Sequence, residues 1–87
     1  MSDDSPIEFP CEFPIKMMGR DTPEFRAVAR ALVEKHAGDV DDGAVRAALS
    51  RNGNFVSITV TITATSREQL NAIYREVTAH EDVLMAL

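Results

Sequence analysis

The sequence predicts an α+β domain in which two helices cover one face of a four-stranded antiparallel sheet, in the order βαββαβ. Three observations carry this expectation. Between residues 56 and 63, Val56, Ile58, Val60 and Ile62 alternate with Ser57, Thr59, Thr61 and Thr63. A period of two gives a strand with one apolar and one hydroxyl-bearing face. Two other segments space their apolar residues at helical intervals, and each has one stripe only. Finally, short apolar runs at residues 13–18, 44–50 and 83–87 supply the remaining strands.

The first strand, residues 13–18, points Phe13, Ile15 and Met17 one way and Lys16 and Met18 the other, and Gly19 ends it. Pro10 and Pro14 suit an extended path, a strand start or an edge, but not the interior of a central strand. Thr22 is placed to cap free amides and Pro23 fits the first helical position. Phe25, Val28, Ala29, Leu32 and Val33 form the stripe of this first helix, and Gly38 is its natural C-cap. Residues 39–43 read Asp-Val-Asp-Asp-Gly and are expected as a solvated acidic loop. The twelve-residue calcium-loop pattern with its terminal glutamate is missing.

The second strand, residues 44–50, is expected to turn Val45, Ala47 and Leu49 inward and Arg46, Ala48 and Ser50 outward. Asn52-Gly53 then signals a two-residue type I′ hairpin turn into the third strand. Thr65, three residues before Glu68, matches a capping box for a second helix with Leu70, Ile73, Tyr74 and Val77 as its stripe. In the fourth strand Val83, Met85 and Leu87 share one face. Since each helix has one apolar stripe, both must cover the same sheet face. Right-handed crossovers then put strands one and three in the centre, a ferredoxin-like arrangement.

Eighty-seven residues allow one domain, and 45% hydrophobic with 26% charged residues is the balance of a soluble globular chain. Residues 1–11 are expected as a flexible tail with Phe9 folding back as a plug, and residues 12–87 as the domain. The acidic N-terminus lacks a secretory signal pattern, and no apolar run approaches the ~20 residues of a membrane span. A cytoplasmic protein follows as the default. Cys11 is the single cysteine, which excludes an internal disulfide and a CxxC pair. The net charge of −5 disfavours nucleic acid and anionic membranes as partners. No metal or cofactor is expected.

The segments EFPCEFPIKMMG, EKHAGD, RNGNFVSITVTITATSREQLNAIYREV and VLMAL together resemble the YbeD-like family of small bacterial proteins. The resemblance runs from Ile7 to Leu87. It implies a ferredoxin-like fold similar to the ACT regulatory modules that bind amino acids, and a regulatory setting in metabolism. It supplies no catalytic residues.

Two candidate sites follow. The first is the open sheet face: Lys16, Met18, Arg46, Phe55, Ser57, Thr59 and Leu84. Met18, Phe55 and Leu84 are expected to form an apolar strip between hydroxyl rows, suited to another protein or to a homodimer. The second strand is an edge and offers a further route to pairing. The alternative is a small-molecule sensor at Gly19, Arg20, Asp21, Thr22 and Glu24. ACT modules carry Asp-x-Pro-Gly there, so that backbone amides can approach a ligand carboxylate. Here Asp21-Thr22-Pro23 matches, but Glu24 brings negative charge where the glycine would stand. Two enzyme-like or RNA-like readings are weaker. Arg20, Arg26 and Asn54 only loosely match an acylphosphatase arrangement beside an acidic loop, and Phe55 is the one aromatic of the open face. No Ser-His-Asp or Cys-His arrangement is visible, and enzyme activity is not expected.

Overall fold

The computed structural model describes residues 8–87. The expectation for a flexible tail falls mainly on residues outside that range. The elements are β1 (Cys11–Arg20), α1 (Pro23–Ala37), β2 (Val45–Leu49), β3 (Phe55–Ala64), α2 (Arg67–Ala79) and β4 (Met85–Ala86). The sheet is antiparallel in the order β2-β3-β1-β4, which is the ferredoxin-like arrangement.

β1 and β3 pair along their full lengths, from Cys11 opposite Ala64 to Arg20 opposite Phe55. Their apolar face, Ile15 and Met17 with Val56, Ile58, Val60, Ile62 and Ala64, is buried beneath both helices. α1 contributes Phe25, Ala29 and Val33 to this core, and α2 contributes Leu70, Ile73 and Val77. The centres of both stripes bury as the helical spacing requires, while Val28, Leu32 and Tyr74 at their margins are half-buried. Phe9 and Cys11 pack against the core rim, and Phe13 meets Tyr74 edge to face at 6.4 Å.

Several local expectations are corrected. β1 begins at Cys11 and ends at Arg20, so Pro14 lies within a central strand. The Lys16 N–H and carbonyl both bond Leu87, so even-numbered backbone groups of β1 face β4. β4 does not reach Pro14, and the missing N–H leaves no ladder bond unmade. The hairpin is a four-residue loop over residues 51–54 and not a two-residue turn. Gly53 N–H donates to the Ser50 carbonyl at 3.0 Å, and Gly53 adopts φ +74°. The N-cap of α2 is Ser66, one residue later than the sequence suggests, and the reciprocal bond reaches back to Thr65. Ser66 accepts from Gln69 N–H at 3.1 Å, and Gln69 Oε1 accepts from Thr65 N–H at 2.8 Å.

β4 is shorter than expected and turned over. Met85 pairs with Met18 on the open face and Ala86 with buried Met17. Leu84 and Leu87 N–H donate to the carbonyls of Met18 and Lys16, each at 2.8 Å. β4 thus spends three steps where β1 spends two, in the manner of a bulge, and one extra residue exchanges the faces. β2 departs differently. Ala47 is exposed and Leu49 is 58% exposed, because neither helix lies over this edge strand.

Capping hydrogen bonds and ion pairs close the helix ends. Thr22 Oγ1 caps Phe25 N–H at 3.0 Å, and Gly38 N–H donates to Glu34. The acidic loop is tied down by Arg30, which donates to the Asp42 carboxylate and the Val40 carbonyl. Glu76 of α2 meets Lys35 Nζ at 3.0 Å and His36 Nε2 of α1. The Lys35 and His36 hydrogen bonds hold the Glu76 carboxyl below its ordinary value of 4.5. A depressed folded value means this contribution is complete above pH 4.5 and is lost as pH falls through the folded value. Glu76→Gln should therefore flatten the acid side of the stability profile, measured by urea unfolding at stepped pH. An unchanged acid slope would contradict the linkage.

Candidate functional site

The open face of the sheet is ordered in cross-strand rows. One row is Met85, Met18, Ser57 and Ala48, running from β4 to β2. Its neighbour towards the start of β1 is Lys16, Thr59 and Arg46. On the other side Arg20 stands opposite Phe55, its guanidinium carbon 5.5 Å from the ring centroid. Stacking on the ring holds the cation at the sheet surface. A strip of methionine and phenylalanine is thus flanked on both sides by positive charge. Among the described residues, Lys16, Arg20 and Arg46 make no ion pair, whereas Arg26, Arg30 and Lys35 on α1 all do.

The sequence-derived face is brought together except for Leu84. Lys16, Met18, Arg46, Phe55, Ser57 and Thr59 share adjacent rows. Met85 takes the position opposite Met18 that alternation assigns to Leu84. Leu84 instead lies at the rim beside Arg20, Thr22, Phe25, Glu81 and Asp82. Sequence reasoning missed Met85, because nothing in VLMAL signals the extra residue. It also assigned Arg20 to the loop, although continuing the alternation through Gly19 would have found it.

Ser57 Oγ is buried in the middle of the strip and has no hydrogen-bond partner among the described residues. An unpaired buried hydroxyl costs on the order of 1–3 kcal/mol. Ser57→Ala should be neutral or stabilising by up to about 1 kcal/mol in chemical denaturation. A loss of more than that would mean that the hydroxyl is partnered after all.

The loop over residues 19–24 is built for packing. A Cβ on Gly19 would stand 2.5 Å from the Asp82 carbonyl oxygen and 2.7 Å from the Phe25 ring. Asp21 N–H donates to the Asn54 carbonyl, and its carboxylate holds Arg26 at 2.9 Å. Thr22 is spent on the helix cap, and Glu24 is exposed in the first turn. With Glu81 and Asp82 alongside, the small cavity there of about 220 Å³ is acidic apart from Arg20. Arg20, Arg26 and Asn54 do not converge: one covers Phe55, one pairs with Asp21, and the third contributes its backbone. His36 is engaged with Glu76, and His80 Nδ1 accepts from Asp82 N–H. No group of three potential metal ligands occurs among the described residues. None of their helices is long and apolar enough to cross a membrane.

A family model described as a protein of unknown function, DUF493, matches residues 4–87. The chain belongs to the DUF493 family. Among DUF493 relatives, the UPF0250 protein of Paraburkholderia phytofirmans is 45% identical over 84 residues, spanning 97% of this chain and 94% of the relative. UPF0250 protein NE1487 of Nitrosomonas europaea is 42% identical over 87 residues, the full length of both. The YbeD-like resemblance seen in EFPCEFPIKMMG and the β3 segment is thereby established as membership of DUF493. The solution structure of HP0495 from H. pylori matches with a TM-score of 0.79, over 99% of this chain and 90% of that one. At 17% identity this likeness is one of fold alone.

Proposed function

We propose that this DUF493 protein is a non-enzymatic cytoplasmic interaction module with a regulatory role, similar to that of an ACT domain. It binds an acidic protein segment carrying an apolar anchor across the open sheet face. The observation that carries this reading is the segregation of charge. The chain has a net charge of −5, yet Lys16, Arg20 and Arg46 gather around Met18, Phe55 and Met85. An apolar strip rimmed by one sign of charge suits a partner that buries a side chain there and answers the charges at the rim. Two copies meeting face to face would oppose cation with cation, which favours an unlike partner. A single aromatic offers little for stacking bases, and the overall charge repels a polyphosphate chain.

Phe55→Ala should abolish partner retention while leaving the melting midpoint nearly unchanged, because Phe55 is only partly covered. Unfolding of that variant would place Phe55 in the core and overturn the reading. The small-molecule alternative is tested by thermal unfolding against amino acids, lipoate and nucleotides. Ligand at about 100 times its dissociation constant contributes about 2.7 kcal/mol. A rise of several degrees with one compound, lost on mutating Asp21 and Glu24, would favour the 19–24 loop instead.

A further inference from the structure

The outer edge of β2 is the least finished part of the sheet. Ser50 N–H donates to the Phe55 carbonyl, so even-numbered backbone groups of β2 face β3. Those of Ala47 and Leu49, with the Val45 carbonyl, therefore point away from the sheet. The Val45 N–H is already spent on the Asp42 carbonyl. Edge strands are ordinarily blunted by charge, proline or a bulge. Here the residues whose backbone faces outward are Val45, Ala47 and Leu49, none of them charged. Their side chains sit on the helix side of the sheet, where α1 leaves a groove of about 420 Å³ between Arg26, Arg30 and Asp42 on one side and Val45, Ala47 and Ile58 on the other. Leu49, 58% exposed, stands at the end of the strand with nothing over it.

We infer that β2 pairs antiparallel with β2 of a second copy about a two-fold axis at Ala47, joining two sheets into one. In this register Ala47 exchanges both backbone bonds with the partner's Ala47. At each end, Leu49 N–H donates to the carbonyl of the partner's Val45. Leu49 then lies directly against the partner's Val45 and covers the mouth of the partner's groove, so the surface is self-complementary as an isologous contact requires.

Charge agrees with that register. Extended beyond the strand, it carries Arg51 to the partner's short 3-10 turn Asp42–Ala44, where the Asp42 carboxylate, held at one oxygen by Arg30, belongs to a side chain that is 93% exposed. The basic hairpin end of each β2 thus meets the acidic end of the other. Arg46 faces the opposite side of the sheet, opposite the partner's Ala48, so no like charges are apposed. Because the axis is perpendicular to the sheet, both open faces remain free on the same side of the dimer.

Sedimentation equilibrium of the whole chain, over about 1 µM to 1 mM, is the test. The mass should rise towards twice that of the 9.6 kDa chain. Leu49→Asp and Ala47→Pro should each weaken association at least about tenfold, with circular dichroism unchanged. Leu49 is exposed, so its variant remains informative if Ala47→Pro misfolds. Phe55→Ala should associate like the unmodified protein. A chain monomeric throughout the range, or a dimer lost with Phe55→Ala but kept by Leu49→Asp, overturns the proposal.

Discussion

Phe25→Ala should lower stability by about 3–5 kcal/mol, the range for deleting a buried aromatic side chain. Phe25 is 1% exposed and sits at the first turn of α1, where its ring closes the end of the core beneath β1. A domain of this size has only about 4–13 kcal/mol in total, at 0.05–0.15 kcal/mol per residue. The variant should therefore unfold at much lower urea concentration or be partly unfolded without denaturant. The cavity cannot collapse easily, because Gly19 and the Asp82 carbonyl against it belong to backbone. A loss below about 1 kcal/mol would mean that the ring is less confined than its contacts indicate.

Gly19→Ala should cost about 2–4 kcal/mol, at or above the upper part of the range for overpacking. One methyl group would face a backbone oxygen at 2.5 Å and two ring carbons at 2.7 and 2.9 Å. The ring can shift, but the carbonyl moves only with the chain between α2 and β4. Loss of about 1 kcal/mol lowers the melting midpoint by about 4–8 °C in a domain of this length. Thermal unfolding should thus show a fall of about 8 °C or more. Combining Gly19→Ala with Phe25→Leu should cost less than the sum of the two changes, since the smaller side chain frees the space. Strict additivity would locate the clash at the Asp82 carbonyl alone.

These two residues also mark how far the sequence was legible. Alternation and helical spacing are local signals, and they specified β1, β3, α1 and α2 with their buried faces. Thr22, Pro23 and Gly38 stand at the ends of α1 as their chemistry requires. Gly19 reads as a strand terminator, yet its place in the fold depends on Phe25 and on a backbone oxygen contributed by a distant segment. No local pattern reports such an approach. The bulge that turns β4 over is likewise invisible in VLMAL, which is why Leu84 stood in for Met85. Leu49 is apolar at an inward-reading position but exposed, because a strand pattern does not say whether a helix lies above it. The candidate face was legible where it depended on the parity of β1, β2 and β3. It was misread where β4 joins it.

On the proposed function, the open sheet face receives an acidic protein partner. The most direct test places a photo-crosslinking amino acid at Thr59, between Lys16 and Arg46, and in parallel at Arg75 on the exposed side of α2. Irradiation in cells should give one defined adduct from Thr59 and none from Arg75. That adduct should disappear when Lys16→Glu and Arg46→Glu are added. Equal adducts from both positions, or an adduct indifferent to charge reversal, would contradict the account.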